Sequence, residues 1–191
     1  MICHEYKCIF IHVPKVAGTS IITAFNKKWD KNDNDMLFLL GGNCTENVNE
    51  WDIYKNRYSD YIKFTSVRNP WDRFISGWKY CNSTKNKPLI DVLNDLPKRE
   101  NNPHDHDHLT RLQTDIIYNN KNELLVDFII RYENLQGDFD NLCDLIKKPK
   151  TKLPLLNTTE HNHYKEYFDE NSNYIFSHIY KKDIVNLNYI F

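Results

Sequence analysis

The sequence predicts an α/β domain, a mainly parallel sheet flanked by helices. Two observations carry that expectation. Short apolar runs rich in β-branched residues alternate with segments of helical periodicity, and at two places such a run leads directly into a helix start. The 191 residues contain no internal repeat and no low-complexity linker, so the chain reads as one domain spanning residues 1–191.

The elements follow in order. Lys7 to Val13 (KCIFIHV) suits a buried strand, and a helix is expected from about Thr19, with Ile21, Ile22, Phe25 and Trp29 at helical spacing. Met36 to Leu40 (MLFLL) is a second strand, ended by Gly41-Gly42. Thr45 to Tyr58 reads as a helix and Tyr61 to Val67 (YIKFTSV) as a further strand. Asn69 then caps a helix whose first position is Pro70, where the missing N–H costs nothing. Trp71, Phe74, Ile75 and Trp78 give that helix one apolar face, with Arg73 and Ser76 pointing away from it. Pro97 to Thr110 reads as a polar loop, Leu124 to Tyr132 as a strand, and Leu135 to Lys147 as a helix. Thr151 to Asn162 is irregular. A last helix from about Asn171 places Phe176, Ile179, Tyr180 and Leu187 on one face.

Composition narrows the function. Hydrophobic residues are 40% and charged residues 27%, the balance of a water-soluble globular protein. The net charge of −1 lacks the basic excess that a broad nucleic-acid surface needs, and leaves room for a local anion site. Cys3, Cys8, Cys44, Cys81 and Cys143 are scattered, odd in number and without a CxxC pair, so neither a disulfide framework nor a zinc ribbon is indicated. The N-terminal apolar run is too short for a membrane span and has no cleavage site. A soluble, cytoplasmic chain is expected, in which the sequons at Asn43, Asn82 and Asn157 carry no glycan.

The first strand runs into His12-Val13-Pro14-Lys15-Val16-Ala17-Gly18-Thr19-Ser20 and then a helix. A tight loop between strand and helix offers backbone N–H groups to a phosphate. Gly18 allows close approach, Thr19 and Ser20 add hydroxyls, and Lys15 adds a mobile charge. The order is not GxxxxGK[ST]: Lys15 comes early, behind Pro14, and there is no Gly-Lys pair. The competing reading is an ordinary βα turn capped by Thr or Ser. Farther on, in Val67-Arg68-Asn69-Pro70-Trp71-Asp72-Arg73-Phe74-Ile75-Ser76-Gly77-Trp78, Arg68 sits at a strand end and Ser76 two turns into the helix. A guanidinium fork and a hydroxyl together suit a phosphate, against the plainer reading of a solvated pair on an amphipathic helix.

IFIHVPKVAGTS resembles the 5′-phosphosulfate loop of sulfotransferases that use 3′-phosphoadenosine-5′-phosphosulfate (PAPS), in the form found in their carbohydrate branch. VRNPWDRFISGW resembles the 3′-phosphate motif of the same family. HLTRLQTDIIY, LLVDFIIRYENLQGDFDNLC and LPLLNTTEHNHYKEYF are similar to its later blocks. The resemblance implies a P-loop-like three-layer fold. It also implies transfer of a sulfuryl group from PAPS to a hydroxyl of a carbohydrate or related acceptor, leaving 3′-phosphoadenosine-5′-phosphate (PAP). Lys15 would contact the phosphosulfate, Val16, Ala17, Gly18, Thr19 and Ser20 would hold the 5′-phosphate, and Arg68 and Ser76 the 3′-phosphate. His108, Arg111 and Gln113 match the family's HxRPQ block with one extra residue and Leu112 in place of Pro. The resemblance thus puts Arg111 and Gln113 toward the acceptor and makes His108 the candidate base, with a solvated loop histidine as its alternative. Glu46, Glu50, Asp52 and Asp60 are the carboxylate candidates for the same task. Arg131 and Glu133 match an RxE block and read as an ion pair at a strand end. His161, His163, Tyr164 and Lys165 lie in a loop that either closes over a ligand or faces solvent.

Alternate histidines in Pro103-His104-Asp105-His106-Asp107-His108 would share one face of an extended segment, as metal ligands can. Sulfuryl transfer needs no metal, and none is expected. The remaining alternatives are a non-catalytic module that holds the nucleotide without turnover, and a P-loop phosphotransferase. The latter lacks its Walker lysine here.

Overall fold

A computed structural model describes residues 1–28, 57–156 and 160–191. Trp29, the Met36–Leu40 strand with Gly41-Gly42, and the Thr45–Tyr58 helix up to residue 56 lie outside the described residues. In chain order the main elements are β1 (Ile2–Cys3), β2 (Cys8–Ile11), α1 (Gly18–Ala24), β3 (Ile62–Val67), α2 (Pro70–Tyr80), α3 (Leu89–Asn94), β4 (Phe128–Arg131), α4 (Leu135–Leu145), α5 (Glu170–Ile179) and α6 (Lys181–Asn186). They fall into two compact units, residues 1–67 with 115–157 and residues 68–114 with 158–191.

The first unit holds a four-stranded sheet in the order β1-β2-β3-β4. β2, β3 and β4 run parallel, with Phe10 level with Phe64 and Phe64 level with Phe128. β1 is antiparallel to β2, Cys3 lying opposite Cys8, and nothing in the sequence announced so short an edge. Because β2 is buried along its whole length, it reads as an unbroken apolar run rather than an alternating one. Phe64 stacks on Phe10 at 5.1 Å and on Phe25 at 5.9 Å, and Phe25 meets Phe139 of α4 edge-on at 6.2 Å. These rings tie the end of α1 and the middle of α4 to the sheet. Together the helices and sheet make the α/β architecture that the alternating pattern predicts. The last strand is shorter than expected, because the residues before Phe128 are used elsewhere. Leu124 bridges Tyr118, Leu125 donates to Ile117, and Asp127 donates to Lys63 O at 2.7 Å.

The second unit is helical around α2. Asn69 Oδ1 accepts from Trp71 N at 3.0 Å and Asp72 N at 3.3 Å, with Pro70 in the first turn, as its sequence signal predicts. Trp71, Phe74, Ile75 and Trp78 are buried in one cluster with Leu93, Phe176 and Tyr180. Arg73 and Ser76, expected on an open face, are 1% and 3% exposed, so α2 is covered on that side as well. The terminal helix breaks at Tyr180 into α5 and α6. The buried Asp183 carboxylate of α6 accepts from Gln113 N, Thr114 N and the Thr114 hydroxyl at 2.7–2.9 Å, capping the turn Thr114–Ile117.

The expected loop at Pro97–Thr110 is partly helical. Pro103–Asp105 forms an α-turn that runs into a π-helix, His106–Thr110. Its start repeats the Asn-Pro signal of α2: Asn102 Oδ1 accepts from Asp105 N at 3.1 Å, ahead of Pro103. The polar composition hid that signal. Among the described residues no helix is long and apolar enough to cross a membrane.

Candidate functional site

In the first unit, the loop from β2 to α1 lacks the cap that an ordinary βα turn carries. The residue at the N-cap is Ala17, which supplies no side-chain cap hydrogen bond to α1. Lys15 and Ala17 both have left-handed backbones, with φ 70° and 65°, a conformation that L-residues adopt at some cost. Left-handed residues in a loop are one ingredient of the backbone nests that bind anions. Gly18 matters for a different reason: a Cβ there would overlap the His12 imidazole, so that ring would have to move. The loop is pinned to the sheet by the Ser66 hydroxyl, which donates to Val16 O at 2.8 Å, while Thr65 donates to Ile11 O at 2.7 Å. Val16 and Ser20 are buried, Lys15 and Ala17 are half-buried, and Thr19 is exposed. The backbone is therefore fixed from below and shaped above.

In the second unit the arrangement is made of side chains. Arg68 follows β3 directly and is 7% exposed. Its Nε donates to Asp72 Oδ2 at 2.7 Å, four residues along, and its Nη2 lies 3.4 Å from His161 Nε2. His161 Nδ1 donates to the Asn162 carbonyl at 2.8 Å, and its Nε2 also lies 3.9 Å from Asp72 Oδ1. Gln113, fully buried, grips the Arg68 backbone from both ends of its amide. Oε1 accepts from Arg68 N at 3.0 Å, and Nε2 donates to Arg68 O at 2.8 Å. Arg68 is thus oriented at main chain and guanidinium alike. Arg73, nearby in sequence, is wholly buried. Burial pushes its pKa below the ordinary guanidinium value, against the opposing pull of Asp183, and Nη2 donates to Asp107 O at 3.4 Å.

The remaining candidates are placed as follows. His108 lies in the π-helix, its Nδ1 2.8 Å from His104 O and its ring stacked on His104 at 4.3 Å. Gly77, beside Ser76 in α2, lets that segment approach: a Cβ on Gly77 would lie 2.5 Å from His108 O. Arg111 is 9% exposed, with Nη1 3.9 Å from Asp107. His163 caps the short 3₁₀ turn Tyr164–Tyr167, and Asn69 Nδ2 donates to Tyr164 OH at 3.5 Å. Of the carboxylate candidates for a base, Asp60 is exposed and bonded to Lys7 at 2.7 Å, which holds its carboxyl below the usual range. Glu46, Glu50 and Asp52 are outside the described residues. Arg131 ends β4, its N–H donating to Asp138. Because residues 103–110 are helical, the extended-segment argument for a face of alternate histidines does not apply.

The partners of Arg68 are only partly encoded in its neighbourhood. Asp72 was readable, since an acid four residues after an Arg at a helix start is a local pair. His161 and Gln113 reach Arg68 from remote segments, which no local pattern reveals. The family model described as the sulfotransferase family matches residues 1–189. No curated protein and no solved structure matches the chain significantly.

Proposed function

The chain belongs to the sulfotransferase family, a family of transferases, and on that premise we propose that it moves a sulfuryl group from PAPS to a hydroxyl of a carbohydrate or related acceptor. The observation that carries this reading is the uncapped loop after β2, with left-handed Lys15 and Ala17 and a glycine packed against the His12 ring. An ordinary capped turn has no need of any of these. In this reading residues 16–20 hold the 5′-phosphate, and Arg68 and Ser76 take the 3′-phosphate. The acceptor oxygen attacks sulfur in line with the bridging oxygen. The new O–S bond forms as the old one breaks, and the electron pair leaves on the 5′-phosphate, giving PAP. The Lys15 ammonium neutralises that leaving charge. The acceptor proton goes to a general base, for which His108 is the assignment, its ring oriented through Nδ1. Arg111 stands in the block assigned to the acceptor. Gln113 serves the same reaction from behind, as the residue that positions Arg68.

Calorimetric titration with PAP tests the donor assignment. Binding by the wild type, weakened about 10- to 100-fold in Arg68→Ala through loss of charged hydrogen bonds, supports it. A folded wild type that does not bind PAP sinks it. Turnover of PAPS with a panel of glycans and small hydroxyl compounds then separates an enzyme from a module that only holds the nucleotide.

A further inference from the structure

Outside the residues assigned to the donor, one cluster in the second unit combines three ligand types. The Cys81 thiol, a ring nitrogen of His104 and a carboxylate oxygen of Asp105 all lie within 4.8 Å of one another. Cys81 is fully buried where α2 ends, Asp105 is 4% exposed, and the His104 side chain is 56% exposed. Two of the three donors are therefore sequestered, while the third opens to solvent and offers an entry path.

The frame around these groups is rigid. Cys81 N donates to Gly77 O at 2.9 Å, and Cys81 O accepts from Lys85 N at 3.0 Å and Thr84 N at 3.2 Å. Asp105 N is held by Asn102 Oδ1 at 3.1 Å, and His106 N donates to Asn102 O at 3.0 Å. The Asp105 carboxylate accepts from Ser83 N at 3.3 Å and from the Ser83 hydroxyl, and Oδ1 lies 2.7 Å from His104 Nδ1. The Cys81 thiol bonds to the same carboxylate. The hydrogens that join thiol, imidazole and carboxylate thus occupy the space between three potential ligands.

We propose that Cys81, His104 and Asp105 form a binding site for a borderline-soft divalent cation, Zn²⁺ foremost. A thiolate, an imidazole and a carboxylate suit zinc and exclude magnesium or calcium, which take oxygen ligands alone. Zinc bonds of about 2.0–2.3 Å put tetrahedral ligand atoms about 3.3–3.8 Å apart, which the cluster reaches by side-chain shifts of about 1 Å. On binding, Cys81 gives up its proton to solvent, His104 binds as neutral imidazole, and Asp105 supplies the second negative charge. Ser83 then serves as the outer partner that orients the carboxylate. Water completes the fourth position. The role is structural: the cation would tie the end of α2 to the turn that begins the π-helix, and His104 carries on its other side the stacked ring of His108. The site stands whether or not the sulfuryl-transfer reading holds, since none of its ligands is assigned to donor or acceptor.

Cobalt substitution tests it on the tag-free, metal-stripped chain in a non-thiol reductant. The expected result is one Co²⁺ per chain with a thiolate-to-cobalt charge-transfer band and tetrahedral visible bands, both abolished by a stoichiometric addition of Zn²⁺. Cys81→Ser should remove the charge-transfer band. Should that variant not fold, His104→Ala, altered at an exposed side chain, should weaken Co²⁺ binding at least about 10-fold. Absence of stoichiometric binding, a charge-transfer band that persists in Cys81→Ser, or wild-type affinity in His104→Ala would each overturn the proposal.

Discussion

Under the proposed function, the loop after β2 and the junction after β3 have the same task, holding an anion, and they are built in opposite ways. The first is made of backbone. Its shape comes from left-handed Lys15 and Ala17, from Gly18 under the His12 ring, and from the Ser66 hydroxyl that fastens Val16 to the neighbouring strand. The second is made of side chains, an Arg68 guanidinium steered by Asp72 and His161 and a main chain clasped by Gln113. A backbone site fails when its shape changes, whereas a side-chain site fails when a supporting partner is lost. Substitutions can separate the two modes.

The largest effect is expected at Lys15, the one charged side chain of the backbone site. Lys15→Ala should lower the rate of sulfuryl transfer about 100- to 1,000-fold, the usual loss for a preorganised group at a developing charge. PAP affinity should change far less, because the loop that grips the phosphate is untouched. A parallel collapse of PAP binding and rate would show that Lys15 acts in ground-state binding instead. Next comes Gln113. Gln113→Leu strands a buried N–H and a buried C=O of Arg68 and should cost about 3 kcal/mol of stability in chemical denaturation, with weaker PAP binding in the variant that remains folded. Stability close to wild type would mean that Arg68 finds other partners, and the account of a clasped main chain would fail.

The comparison also explains what the sequence disclosed. The loop proposed as the backbone site stands out because residue types alone mark it: a strand, a proline, a lysine, and a glycine placed where few glycines occur. What could not be read was the reason for Gly18, which lies in the packing of His12 rather than in its own φ. The proposed side-chain site stands out only in its local half. Arg68, Asp72 and the Asn69-Pro70 start are neighbours in sequence, but His161 and Gln113 arrive by tertiary folding. Polar composition misled twice, hiding the helical turns at 103–110 behind a loop-like sequence and suggesting an open face at Arg73 and Ser76. The terminal helix was periodic throughout, yet it breaks at Tyr180 so that Asp183 can cap Thr114. No periodicity records that demand. The fold class was readable because alternating patterns sum over many residues, while each break depends on one distant partner.

Steric control of the backbone site is open to a double-mutant cycle. Gly18→Ala places a methyl group against the His12 ring, so the loop must shift and PAP affinity should fall about 10-fold or more, a coupling of the size seen between contacting residues. Adding His12→Ala should recover much of that loss, since the obstacle is gone. Equal losses in the single and double variants would show that Gly18 is needed for flexibility rather than for clearance.

The smallest effect belongs to the helix start beside Arg68. Asn69→Ala removes the acceptor for Trp71 N and Asp72 N and should lower stability by about 1 kcal/mol, as cap deletions do. Asp72 lies in the first turn of that helix and holds Arg68 at 2.7 Å. Fraying there should therefore cost PAP affinity as well, by less than Arg68→Ala does. A stability loss with unchanged affinity would show that Gln113 and His161 suffice to hold Arg68, and that the junction is organised from its remote partners rather than from its own helix.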